Sequence, residues 1–137
     1  MSGILATGLD LVEVARIRLA LERHGERFRE RIAGEEELRT RVGTLRPESL
    51  AGMFAAKEAV LKALGTGWAA GLSFRQILIL RRPSGEPFVR LEGAAAARAE
   101  ALGVTRVHLS ISHDGGVAAA VAVLEGTPIV ESNAERE

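Results

Sequence analysis

Residues 47–65 constrain this chain more than any other stretch. Pro47 is a favoured first-turn residue and Gly65 a favoured stop, and the residues between them carry no further proline. At about 100° per residue, Ala56, Ala59, Val60, Ala63 and Leu64 fall on one apolar stripe, with Glu58 and Lys62 together on the opposite side. The pattern predicts one long helix on which the rest of a 137-residue chain must pack, and that length is enough for one domain with its own core. Aromatic residues make up only 4% of a chain that is 47% hydrophobic, so the core has to be built from Ala, Leu, Val and Ile.

Before the long helix, Ile4 to Leu9 reads as a short strand. Asp10 is placed to cap a helix starting near Leu11, with Leu11, Val14, Ile17 and Leu21 as its inward face and His24-Gly25 as its end. Residues 27–45 predict one or two short charged helices punctuated by Gly34 and Gly43. After it come two hairpins. Phe74–Leu80 and Pro87–Leu91 flank Pro83-Ser84-Gly85, and Val107–Ser112 and Val117–Leu124 flank Asp114-Gly115-Gly116. Between them Gly93–Leu102 is an Ala-rich helix closed by Gly103. The expected fold class is α+β, an antiparallel sheet of hairpins packed against a long central helix, in one domain over residues 1–125 with a polar tail over 126–137.

Several function classes are disfavoured by composition. With no cysteine there is neither a disulfide framework nor thiolate chemistry. No apolar run is long enough to span a bilayer, and no basic stretch with an apolar core opens the chain, so a soluble cytoplasmic protein is expected. The formal net charge is zero, which argues against nucleic acid as a partner. Between Arg16 and Arg46, however, nine arginines stand against six glutamates, a local excess that suits either a solvated helical surface or an acidic partner.

Rare residue types point to the chemistry. The chain has 16 arginines but two lysines, Lys57 and Lys62, on either side of Glu58. It has 16 glutamates but two aspartates, Asp10 and Asp114. Glu58 and Lys62 alone would be an ordinary i,i+4 surface pair worth a few tenths of a kcal/mol (roughly 0.2–0.5). The continuation into Gly65-Thr66-Gly67 adds a tight turn whose N–H groups could face a phosphate beside Lys62. Asp10 and Glu58, converging from separate elements, suit Mg²⁺, which typically binds one or two carboxylates plus substrate phosphates. His113, at the turn of the last hairpin, could meet a phosphate or a base. The chain lacks zinc-ligand spacing, a nucleophile elbow and a Walker A loop.

Three segments in this order, Gly8-Leu9-Asp10-Leu11-Val12-Glu13, Phe54–Gly67 and Ser110-Ile111-Ser112-His113, resemble the holo-(acyl-carrier-protein) synthases of the 4′-phosphopantetheinyl transferase family. The resemblance runs from about Gly3 to Glu125. It implies Mg²⁺-dependent transfer of 4′-phosphopantetheine from coenzyme A to a serine of an apo acyl carrier protein, in fatty acid biosynthesis, releasing adenosine 3′,5′-bisphosphate. In that family Asp10 and Glu58 match the metal ligands, and Lys62 a pyrophosphate contact and catalytic residue. Gly65, Thr66 and Gly67 match the turn beside it, and His113 a residue near the 3′-phosphate of coenzyme A. Arg16, Arg23, Arg27 and Phe28 match positions that meet the acidic carrier protein, and the family's small members are homotrimers with shared active sites. With no histidine placed as an obvious base for the carrier serine, Glu58 acting through a water is the candidate.

The chain departs from the family pattern twice. Met53 stands where an arginine is usual, and Asp114 where a neutral residue is common. Both thin out positive charge where the 3′-phosphate is expected, and Arg46, Arg81 and Arg106 are candidates to restore it. Asp114 also suits a turn former ahead of Gly115-Gly116. Rival readings are the same transfer to a polyketide or peptide-synthesis carrier, a non-catalytic nucleotide- or acidic-partner-binding module of the same fold, and an oligomerisation domain without metal response.

Overall fold

The computed structural model describes residues 2–40, 45–67 and 71–129. Five strands and five helices follow in the order β1 (Gly3–Glu13), α1 (Val14–His24), α2 (Glu26–Ile32), α3 (Glu35–Arg39), α4 (Pro47–Leu64), β2 (Ile77–Arg81), β3 (Pro87–Leu91), α5 (Gly93–Leu102), β4 (Val104–Asp114) and β5 (Val117–Gly126). A single 3₁₀ turn, Phe74–Gln76, precedes β2. The architecture is α+β with two antiparallel sheets, β1-β5-β4 and β2-β3. The long helix, the last hairpin and the Ala-rich helix match the sequence expectations, with Gly25, Gly65 and Gly103 at positive φ where each helix stops. Gly43 lies outside the described residues.

Helix α4 is the axis of the core. Every residue from Leu50 to Leu64 is buried except Phe54, Glu58 and Lys62, which recur at i, i+4 and i+8 and form the one stripe left open. The core is aliphatic, as the composition requires. Ala51, Ala55, Ala56, Ala59 and Val60 meet Ala118, Ala120, Ala122 and Leu124 of β5 within one buried cluster. Small side chains on both sides let helix and sheet approach closely, and Gly8 marks the tightest point. A Cβ there would lie 1.9 Å from the Ala59 carbonyl oxygen, so only glycine fits between β1 and α4.

The chain start departs from expectation. β1 runs through Glu13 and pairs with β5 from Gly3↔Gly126 to Glu13↔Val117, so Asp10 sits within the strand and is not a helix cap. Glu13 occupies the N-cap position of α1 without a side-chain cap bond. Leu11 is 62% exposed on the outer sheet face, while Val14 and Ile17 do turn inward. Ten rungs of ladder with β5 outweigh one local cap of about 1 kcal/mol. Phe74–Gln76 is likewise a 3₁₀ turn and not the start of β2.

Candidate active site

Glycine 8 and strand alternation together place Asp10. Gly8 faces α4, so Asp10 two residues on faces it too, while Leu9 and Leu11 point away. Lys62, on the open stripe of α4, donates to Asp10 Oδ1 at 2.9 Å and to the Leu9 carbonyl at 3.0 Å. Asp10 is only 15% exposed and Lys62 54%. A half-sheltered carboxylate is thus held against an ammonium group that still reaches solvent. Glu58 stands one turn before Lys62 on the same stripe, half-buried.

Glu58 opens onto a groove of about 1010 Å³. One wall is α2 with Arg27, Phe28 and Ile32, the other is Leu72 to Arg75, and Phe54 and Glu58 of α4 form the floor. The Phe54 and Phe74 rings pack with centroids 5.5 Å apart. The groove therefore joins a carboxylate, an aromatic base and a cationic rim. Arg27 and Phe28 belong to it, whereas Arg16 and Arg23 lie exposed along α1, seven residues apart.

Four further candidate residues, Gly65, Thr66, Gly67 and His113, lie elsewhere. Gly65 and Gly67 have positive φ directly after Lys62, and the Arg98 side chain of α5 donates to the Leu64 carbonyl at 2.9 Å, closing off the helix end next to that turn. Among the described residues, the Thr66 hydroxyl donates within the turn, to the Gly67 carbonyl at 3.2 Å. His113 is not gathered with them. It sits on β4, two strands from Asp10 and so about 10 Å across the sheet, in a separate hollow of about 200 Å³ lined also by Arg18, Glu48 and Asp114. Met53 is buried in the core. Arg46, Arg81 and Arg106 do not line the His113 hollow; Arg18 does, ion-paired to Glu48 at 3.3 Å, and sequence reasoning passed over it.

A pair of carboxylates is a donor set that would suit a hard cation. Among the described residues no three His, Cys, Asp or Glu side chains converge, so a metal held by Asp10 and Glu58 would take its remaining ligands from water and phosphate. That donor set suits Mg²⁺ and not a four-coordinate zinc site.

Lys57 was misjudged by its place in the sequence. It is fully buried on the other side of α4, ion-paired at 2.9 Å to Glu37, which is 1% exposed. Glu37 was not foreseen at all; its only sequence signal is that it ends the Glu35-Glu36-Glu37 run, three residues after Gly34.

A sequence profile described as the 4′-phosphopantetheinyl transferase superfamily matches residues 6–122, so the chain belongs to that superfamily. Its relatives narrow the class. The chain is 50% identical over 123 residues to the holo-[acyl-carrier-protein] synthase of Solidesulfovibrio magneticus, covering 90% of this chain and 99% of that one. It is 41% identical over 133 residues to the synthase of Brucella ovis, covering 93% and 99%. Among solved structures it resembles the Helicobacter pylori synthase in complex with coenzyme A, with a TM-score of 0.76 and 35% identity over 86% of this chain and 98% of that one. It also resembles the Neisseria meningitidis synthase, at 0.78 and 36% over 89% and 98%. The fold is that of the phosphopantetheinyl transferases.

Proposed function

We propose that this chain transfers 4′-phosphopantetheine from coenzyme A to a serine of an apo acyl carrier protein, serving fatty acid biosynthesis. The serine oxygen attacks the phosphorus next to the pantetheine arm, the phosphoanhydride bond breaks, and adenosine 3′,5′-bisphosphate leaves with the bond's electron pair. The serine proton passes to Glu58 through a water, or to solvent. The observation that carries this reading is the Asp10–Lys62 pair at 2.9 Å, whose lysine shares the open stripe of α4 with Glu58, itself part of a groove rimmed by Arg27 and Phe28. Phosphoryl transfer depends on positioning and charge neutralisation, and Lys62 supplies a mobile cation where the leaving pyrophosphate oxygen gains charge. Asp10 and Glu58 would hold Mg²⁺, whose chemistry there is to neutralise the pyrophosphate. Gly65, Thr66 and Gly67 offer their turn to the same phosphates.

The carrier is expected on the cationic side. Arg16 and Arg23 along α1 and Arg27 beside Phe28 present charge to an acidic helix and an apolar seat next to the groove. His113 belongs to coenzyme A in this reading, and its separate hollow supports a site completed by another copy. The outer face of the β1-β5-β4 sheet supports the same view, since Leu9, Leu11, Val117 and Val121 stand exposed on it. We infer a homotrimer with shared sites, a single transferase domain over 1–125 ahead of a 126–137 tail, and a cytoplasmic setting. Among the described residues no helix is long and apolar enough to cross a membrane. The non-catalytic alternative gains no support from the Asp10–Lys62 pair or from Glu58 one turn away on α4.

Intact-mass spectrometry of an apo acyl carrier protein with coenzyme A, Mg²⁺ and this chain tests the proposal. A carrier heavier by one phosphopantetheine, no gain with Asp10→Ala/Glu58→Ala, and loss of transfer on chelation that Mg²⁺ restores are the expected results. Full transfer by Glu58→Gln would remove Glu58 as base. A Leu11→Glu chain that stays trimeric in light scattering would refute the assembly.

A further inference from the structure

Lys57 is the most enclosed charge in the described structure, and its ammonium bonds to groups 17 to 25 residues away along the chain. Its ammonium donates to the Ile32 carbonyl at the end of α2, to the Phe74 carbonyl at 2.9 Å, and to both oxygens of Glu37 at 2.9 and 3.1 Å. Glu37 in turn accepts from the Gly34 N–H at 2.8 Å and the Ile79 N–H at 2.9 Å. One buried ion pair therefore ties α2, α3, α4, the 3₁₀ turn and β2.

The places where those ties end give the pair a role. Ile32 belongs to one wall of the groove and Phe74 to the other, while Lys57 springs from the helix that forms its floor, next in sequence to Glu58. A single ammonium thus holds both walls to the floor. Apolar packing alone would leave that width free to drift, because α2 is a seven-residue helix with only Ile32 buried. A buried charge network with directional bonds has one satisfied arrangement, and leaving it costs the desolvation of each freed group.

We propose that Lys57 and Glu37 are positioning residues that fix the width of this groove. By this they set the distance between the carrier-facing wall, with Arg27 and Phe28, and Glu58 on the floor. The assignment rests on the transferase reading given above. Neither side chain touches coenzyme A in this scheme, because the Lys62–Gly67 cluster lies further along α4 and shares no bond with the pair.

Steady-state transfer by Glu37→Gln, with carrier and coenzyme A varied in turn, separates positioning from mere support. The amide keeps the volume and its one oxygen can still accept from either Gly34 or Ile79, which bond to different oxygens of Glu37, while the other bond and the ion pair are lost. The expected result is a kcat/KM for the carrier lower by about 10- to 100-fold, with KM for coenzyme A within about twofold of wild type. Hydrogen exchange should rise together at residues 26–32 and 72–76 and stay unchanged at 58–64. Should Glu37→Gln fail to fold, Lys57→Met/Glu37→Leu, which replaces the pair by apolar groups of similar volume, takes its place with the same expectations. A folded variant whose carrier kcat/KM stays within about threefold of wild type, or whose two KM values rise alike, overturns the proposal. If the wild-type chain modifies no carrier, the transferase reading fails on its own account. Exchange then decides the pair: joint loss of protection upholds it, and change at one wall only overturns it.

Discussion

Two lysines five residues apart on one helix have opposite surroundings. Lys57 is sealed in the core against Glu37, with two backbone carbonyls completing its shell, whereas Lys62 is 54% exposed and rests on Asp10. Five residues on a helix is a rotation of about 500°, that is 140° past a full turn, which is enough to move a side chain from one side of α4 to the other. The difference teaches what each charge is for. An ammonium with every donor satisfied by protein is fixed and serves structure, while one that keeps contact with solvent beside a carboxylate can exchange partners, as a phosphate contact must.

Substitutions at the two positions should therefore fail in different currencies. Lys57→Met should cost about 3–5 kcal/mol in a denaturant melt, because Glu37 would keep its charge in the core without its partner. Loss of less than 1 kcal/mol (about a fivefold change in the folding constant) would show that Glu37 reaches water. Gly8→Ala comes next, at about 1–3 kcal/mol with a matching loss of transfer, since its methyl would collide with the Ala59 carbonyl and push β1, and Asp10 with it, off α4. A stable Gly8→Ala chain with full activity would mean that the strand moves without cost.

Lys62→Met should sharpen the contrast most cleanly. Its ion pair is half in solvent, so stability should change by no more than about 1 kcal/mol while transfer falls by about 10²-fold or more. Equal loss of stability and activity would place Lys62 with Lys57 as a structural residue. The smallest effect concerns Glu125. The His108 ring, 2.8 Å away, holds its carboxyl below the usual glutamate range, and Arg106 adds to this. A lowered pKa means that this contribution is present above the ordinary value of about 4.3 and is lost as the pH falls through the lower, folded-state value. Melts of wild type and Glu125→Gln should therefore converge in acid, and added salt should shrink their difference at neutral pH. A gap that widens in acid would contradict the sign.

Much of the fold could be read from local signals. Pro47 and Gly65 bound α4, Gly103 closes α5, and the Asp114-Gly115-Gly116 turn fixes the last hairpin, each because a backbone position favours one residue type. Asp10 and Lys62, which the structure pairs, stood out because both residue types are rare in this chain, and Glu58 because it stands one turn before Lys62; the roles proposed for them were not legible from spacing alone. The start of the chain was misread because Leu11, Val14, Ile17 and Leu21 satisfy a helical period while Leu9 and Leu11 equally satisfy strand alternation. The ladder to β5, over a hundred residues away, decides between them.

By itself, then, the sequence determined the central helix, its two ends and the hairpins, and it singled out three residues for the proposed site. Those depend on dihedral preferences and side-chain period, which act within a few residues. Only the tertiary structure decided that Asp10 lies in a strand, that Lys57 is buried against Glu37, and that His113 occupies a hollow apart from Glu58. Burial and long-range pairing set each of these, and neither has a signature in the residues next door.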